Sequence, residues 1–166
     1  MATTENLKAA FAGESQANRT YLAFAKKAEA DGFPQVAKLF RAAADAETVH
    51  AHAHLRVLKG VQGTAENLQA AIAGEAYEFQ KMYPQFLAEA EQAGQQGAVN
   101  SFRLALAVEK THHGLYAEAL KAIQAGKDLP AAPIWVCSVC GHTAVGEAPD
   151  KCPVCGAAKQ KFAAIA

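Results

Sequence analysis

The chain has 166 residues, 51% of them apolar, with Lys plus Arg and Asp plus Glu balanced at 16 each. That is enough apolar sequence for one ordinary domain and a small appendage, which excludes a disordered chain. The balanced charge leaves no basic field for nucleic acid. No run approaches the roughly 18 apolar residues of a membrane span, and "MATTENLKAAF" lacks the pattern of an export leader. A soluble cytoplasmic protein is therefore expected, with neither nucleic acid nor a membrane as partner.

Up to about Ala125 the chain is rich in Ala, Leu, Glu, Gln and Lys, all strong helix formers, and it is interrupted at few places. "DGFP" at 31–34 ends a first helix, with Gly32 suited to a left-handed cap and Pro34 to the first turn of the next. "KGVQGT" at 59–64 ends the second, with Thr64 as candidate N-cap of a third. Pro84 predicts a kink inside the third, and "AGQQG" at 93–97 separates it from a fourth running to about Ala125. Four segments of about 25–30 residues, at about 1.5 Å per residue, make rods near 40 Å long, the elements of a four-helix bundle. "GKDLPAAP" at 126–133 reads as a linker, and from Ile134 the composition turns to short β-type runs, Gly and Cys. The expected division is a helical domain over 1–126, a linker over 127–133 and a small metal-built module over 134–166.

The tripeptide AGE occurs twice, at Glu14 and at Glu75. An E-x-x-H follows each: Glu47 and His50, with Glu47 33 residues after Glu14, then Glu109 and His112, with Glu109 34 residues after Glu75. Residues three apart lie on one helix face, so each E-x-x-H offers an oxygen and a nitrogen to one point. Glu14 and Glu75 offer further oxygens from the other two helices. Four carboxylates and two imidazoles suit two metal ions, because one ion would leave too much buried negative charge. One Glu from each of two helices with E-x-x-H from the other two is already familiar from di-metal carboxylate bundles.

A lone E-x-x-H is usually a solvated Glu and an ordinary His; two at matched intervals after the same tripeptide favour metal. Glu78 breaks the repeat, since the matching position after Glu14 is Ala17, and its spacing from Glu75 makes it a seventh candidate ligand. His52 and His113 point away from His50 and His112 and are expected at the surface or in packing. His54, one turn beyond His50, is expected to support the site or the fold rather than to ligate. Tyr21 and Tyr83 return to the faces of Glu14 and Glu78, where a phenol can donate to a ligand carboxylate.

All four cysteines, Cys137, Cys140, Cys152 and Cys155, lie in two C-x-x-C-G knuckles 11 residues apart. Without an export signal this reads as a tetrahedral thiolate site rather than as disulfides, with Gly141 and Gly156 permitting the tight turns. Tetrahedral sulfur ligation suits zinc or iron, and the spacing leaves both open. Trp135 and Phe162 are expected to pack around it.

Together, "AGES…ETVH…AGEAYE…EKTH" followed by "CSVCG…CPVCG" closely resembles the rubrerythrin family over essentially the whole chain. The resemblance implies a ferritin-like four-helix bundle followed by a small β-rich rubredoxin-like domain. It also implies a non-haem iron peroxidase, in which a rubredoxin-like iron centre passes electrons to a di-iron site that reduces hydrogen peroxide. Glu47 and Glu109 would bridge, Glu14 would serve one iron, and Glu75 with His112 the other. Glu78 and His50 would exchange at the first iron as the redox state changes, which makes them the catalytic pair. Reduced rubredoxin or a rubredoxin reductase-type protein linked to NAD(P)H is the implied donor. The competing reading is a ferritin-like ferroxidase with a structural zinc module, against which Glu78 and the cysteine module weigh.

Ferritin-like topology normally needs a long crossover between helices two and three, and here only about four residues join them. They cannot climb a pair of ~40 Å helices. A homodimer is therefore expected in which helices one and two pair with helices three and four of a second chain. The competitor is a plain up-down-up-down bundle.

Overall fold

The computed structural model describes residues 2–165. The chain divides between Gln62 and Gly63 into two compact units.

The first unit is a helical hairpin of α1 (Ala2–Ala30) and α2 (Pro34–Val57). Its turn follows the expectation. Gly32 takes φ +84°, the Phe33 N–H returns to the Ala28 carbonyl at 2.8 Å, and Pro34 opens α2. Left-handed backbone at that position disfavours a side chain, and Pro34 gives up only an N–H that a first turn leaves unpaired. Ala37, Ala44 and Ala51, spaced by seven along α2, are buried, as are Ala25 and Ala28 of α1. Such small residues let two helix backbones approach closely. Farther from the turn, Asn18 of α1 donates to the Ala44 carbonyl at 2.7 Å and to Thr48 Oγ1 at 2.9 Å. Asn18 lies one turn beyond Glu14 and Thr48 directly follows Glu47, so this buried bond sets the relative level of the two carboxylates.

The second unit begins with α3 (Thr64–Tyr77). Gly63 rather than Thr64 holds its N-cap position: the Gly63 carbonyl accepts the first helical bond from the Asn67 N–H at 2.9 Å, and Thr64 is already helical. A π-turn follows at Glu78–Met82, then α4 (Tyr83–Gln92) and α5 (Gln96–Gln124). The irregularity expected at Pro84 thus takes the form of a wide turn just before it, in which the Tyr83 N–H reaches back five residues to the Glu78 carbonyl. Pro84 has no N–H for Gln80, so the α-helical ladder must change there in any case.

The π-turn also accounts for the unequal intervals of 33 and 34. Glu14 and Glu75 are 61 positions apart, as are Leu7 and Leu68, whereas Tyr21 and Tyr83, Phe40 and Phe102, Glu47 and Glu109, and His50 and His112 are 62 apart. The extra residue therefore lies between Glu75 and Tyr83, where the helix widens. On either side of it the two units repeat each other. Phe24 and Phe40 meet at 5.5 Å between ring centroids and Phe86 and Phe102 at 5.7 Å. Arg41 pairs with Glu29 at 2.9 Å and Arg103 with Glu91 at 3.4 Å. Gly94, 62 positions after Gly32, is again left-handed, and the Gln95 N–H again returns to the Ala90 carbonyl.

The cysteine module belongs to this second unit. Strands β1 (Ile134–Cys137), β2 (Thr143–Val145) and β3 (Phe162–Ala164) form an antiparallel sheet in the order β2-β1-β3, with Val136 opposite Thr143 and Cys137 opposite Phe162. Cys137, Ala148, Cys152 and Phe162 are its buried core, against which Trp135 packs as expected. The Trp135 indole also donates to the Gly146 carbonyl at 3.0 Å. Strand β2 lies against α5, and a Cβ built on Gly141 would stand 3.8 Å from Val108, the residue before Glu109.

Candidate metal centre

Each unit brings three expected ligands together. In the first, Glu14 from α1 and Glu47 and His50 from α2 each present a ligand atom within 4.8 Å of the others, and His50 Nδ1 is 3.0 Å from Glu47 Oε2. In the second, Glu75 from α3 and Glu109 and His112 from α5 do the same. There His112 Nδ1 lies 2.9 Å from Glu109 Oε2 and 3.9 Å from Glu75 Oε2. In both, the imidazole turns Nδ1 toward the carboxylates, as one turn of helix between Glu and His dictates. His50 is largely exposed at its side chain, whereas Glu75 and Glu109 are mostly covered.

The electrostatics of the second set call for a cation. Burial, then the charge of Glu109 and a hydrogen bond with it, push the Glu75 carboxyl up to about 7, although His112 pulls the other way. Two carboxylates in contact share a proton unless a metal replaces it. Glu78 stands outside the three-residue set but inside its field: burial first and then Glu109 raise its pKa, with His112 opposing. The Tyr83 phenol is raised by burial and then by the charges of Glu78, Glu109 and Glu75, so it keeps its proton. Tyr21 packs against Phe24 and Phe40, as Tyr83 does against Phe86 and Phe102. Among the remaining histidines, His52 is exposed, His54 is half-buried, and His113 packs edge-on against Phe79 at 5.3 Å.

The four thiols present their sulfurs within 4.8 Å of one another, with Cys137 to Cys155 at 3.7 Å and Cys140 to Cys152 at 3.6 Å. A tetrahedron with metal–sulfur bonds of about 2.3 Å has edges of about 3.8 Å, so the residues fit such an ion without rearrangement. Gly141 and Gly156 take φ +86° and +75°, and their N–H groups close the knuckles onto the Cys137 and Cys152 carbonyls at 2.8 and 2.9 Å. Burial raises the Cys137 thiol, but backbone N–H groups of Val139 and Cys140 outweigh it and bring the group down to about 7. Burial dominates at Cys140 and pushes it up to about 12. Without a cation the cluster carries little negative charge, and a bound metal would displace the remaining protons.

Two supporting contacts had weak or no signal in the sequence. Asn18, four residues after Glu14 on the same face, was detectable only as a further polar residue on the face that carries the ligand. Thr143 had none: its Oγ1 lies 3.1 Å from His112 Nε2, across 31 positions of sequence. An apolar cavity of about 530 Å³ opens beside this contact, walled by Leu115, Tyr116, Leu129, Ile134 and Val145.

The sequence matches the family model described as rubrerythrin over residues 5–120 and that of the rubrerythrin rubredoxin-like domain over 135–163. It is 35% identical to rubrerythrin-2 of Clostridium acetobutylicum, covering 98% of this chain and 96% of the relative. It is 36% identical to nigerythrin of Nitratidesulfovibrio vulgaris, covering 98% and 86%. Among solved structures, fully reduced, all-ferrous nigerythrin aligns with a TM-score of 0.60 at 34% identity, and its mixed-valence state with 0.59 at 35%, each covering 98% of this chain and 86% of that one. The helical fold with its small C-terminal sheet agrees with the expectation, as do the paired Glu/His sets and the four-thiol cluster as cofactor sites. With matches of this extent to both of its parts, the chain belongs to the rubrerythrin family.

Proposed function

We propose that this protein is a non-haem di-iron peroxidase that reduces hydrogen peroxide to water, with electrons arriving singly through iron in the four-cysteine site. The observation that carries this reading is the second unit, which holds the Glu75/Glu109/His112 set, the additional carboxylate Glu78, and a four-thiol cluster on a module whose strand lies against α5. Iron storage would need the first of these and neither of the others.

When bound, paired ferrous ions would supply the two electrons that cleavage of an O–O bond consumes, and iron in the thiolate site would carry one at a time. Glu14, Glu47, His50, Glu75, Glu109 and His112 would hold the pair, with Glu47 and Glu109 bridging as the family resemblance implies. Glu78 and His50 would alternate as ligands, and Glu78, with its raised pKa, can hold or release a proton near the substrate. Tyr83 would donate a hydrogen bond to the carboxylates around it, and Tyr21 would be its counterpart among Phe24 and Phe40. A rubredoxin or rubredoxin reductase-type protein linked to NAD(P)H would be the donor. The test is to load the chain with iron, reduce it without oxygen and add peroxide. Stoichiometric reoxidation of both centres is expected. A colourless thiolate site with slow peroxide consumption and rapid ferrous oxidation by oxygen would instead indicate a ferroxidase with structural zinc.

We further propose that the complete site joins the first unit of one chain to the second unit of another. Leu58–Gly63, six residues between α2 and α3, span about 20 Å at most, whereas the 24 residues of α2 rise about 36 Å. The first hairpin also leaves Leu39, Val49 and Val57 more than 60% exposed, apolar surface available to a partner. Chains carrying Glu47→Ala should be mixed, after unfolding, with chains carrying Glu109→Ala. Exchanged dimers that pair one variant with the other carry one intact and one doubly altered site, whereas bundles closed within one chain regenerate none.

A further inference from the structure

The His112 ring touches groups of opposite kind at its two nitrogens. Nδ1 faces the carboxylates of Glu109 and Glu75, and Nε2 faces the Thr143 hydroxyl at 3.1 Å. Thr143 Oγ1 in turn lies 3.5 Å from the Gly141 carbonyl, the residue after Cys140. The hydroxyl has one proton and two lone pairs, and the Gly141 carbonyl can only accept, so Oγ1 can turn its proton toward Gly141 while presenting a lone pair to an Nε2–H of His112. When a metal takes the Nδ1 lone pair in place of the proton that the Glu109 carboxylate otherwise attracts there, the proton of the neutral ring is on Nε2, where the Thr143 oxygen stands to accept it.

We propose that Thr143 is a positioning residue for the helical metal site: its hydroxyl accepts from the Nε2–H of His112, turns Nδ1 toward the metal, and ties this ligand to the first cysteine knuckle. The proposal rests on the reading of Glu75, Glu109 and His112 as metal ligands, and it is independent of peroxide chemistry. Groups that orient a ligating histidine through its second nitrogen typically govern metal affinity by about 10- to 100-fold. Here that group belongs to the cysteine module, so β2 helps to complete a site otherwise built on helices. The Gly141 carbonyl, Thr143 hydroxyl and His112 ring also form a continuous polar path from the knuckle to the ligand, along which the occupancy of one site can bias the other.

The test compares the full chain with Thr143→Val, which keeps the side-chain shape and removes the hydroxyl, and Thr143→Ser, which keeps the hydroxyl. In the chain loaded with zinc(II), long-range ¹⁵N–¹H correlation should show the His112 Nε2 proton in the unaltered and Ser forms, exchanging with water at least about 10-fold more slowly than in the Val form. In titrations with cobalt(II), the bands of the carboxylate–imidazole site should appear at about 10-fold or more higher concentration for Thr143→Val. Those of the thiolate site, which report an intact module, should be unchanged, and Thr143→Ser should restore the affinity to within about 3-fold. The same Nε2 proton exchange and the same cobalt affinity in Thr143→Val would overturn the proposal, as would failure of Thr143→Ser to rescue. Absence of helical-site cobalt binding in the unaltered chain would remove the metal reading beneath it, a different result from equal binding by all three.

Discussion

Deletion of Gln80 should expose how the π-turn and Pro84 depend on each other. Removing one residue from Glu78–Met82 gives the second repeat the spacing of the first, so that Tyr83 and everything after it stands 61 positions from its counterpart, as Glu75 already does. The wide turn then closes into regular α-helix, and Pro84, now in the first turn of α4, falls inside a continuous helix. An interior proline costs about 3 kcal/mol through its missing N–H and its clash with the preceding turn. The deletion alone is therefore expected to destabilise the metal-free chain by about 3 kcal/mol, and Pro84→Ala in the deletion background should recover most of that. In the full-length chain Pro84→Ala should change stability by well under 1 kcal/mol, because proline is tolerated in a first turn. The coupling between the two changes, read from urea unfolding followed by far-UV circular dichroism, is thus expected near 3 kcal/mol. Additive effects would refute the view that the inserted residue accommodates the proline. The deletion also gives Glu78 the environment of Ala17, so if Glu78 ligates as proposed, the rescued double variant should lose that contribution while keeping Glu75.

Two further perturbations address each unit separately. Glu75 is held at about 7 against an ordinary 4.5, so between those values the folded chain binds the additional proton. Its contribution therefore lowers the stability of the metal-free protein as pH rises from about 4.5 to about 7 and levels off beyond, while metal affinity rises over the same range with release of a proton. Glu75→Gln should flatten that limb of the stability profile; an unchanged profile would contradict the assignment. In the first unit, Asn18→Ala removes the bonds to Ala44 and Thr48 and should cost about 1–3 kcal/mol in urea unfolding. Asn18→Asp should cost more, since Asn18 Oδ1 is already buried without a partner and the carboxylate would add a second unsatisfied oxygen opposite the Ala44 carbonyl.

Local chemistry made much of this protein legible before folding. Glu47 and His50, Glu109 and His112, and the four cysteines are separated by one helical turn or one knuckle. Their convergence follows from 3.6 residues per turn and from the left-handed glycines that close C-x-x-C-G. The helix ends at Gly32 and Gly94 were readable for the same reason. The one-residue difference between the intervals 33 and 34 was also visible, but its meaning was not. An inserted residue can lengthen a loop, shift a helix or widen a turn, and packing on both sides of Glu78–Met82 selected the last.

Tertiary structure alone decided the contacts that hold these local sets in place. Asn18 reaches Thr48 across 30 positions and Thr143 reaches His112 across 31. No periodicity encodes either separation, because each depends on how closely two elements pack. For the first pair, the buried alanines set the distance between α1 and α2; for the second, β2 is brought onto α5 where Gly141 meets Val108. The sequence by itself determined which atoms were available as ligands, since ligand spacing is a property of a single turn. Folding decided which neighbours orient them, because the second nitrogen of His112 meets its partner, Thr143, only when β2 packs on α5.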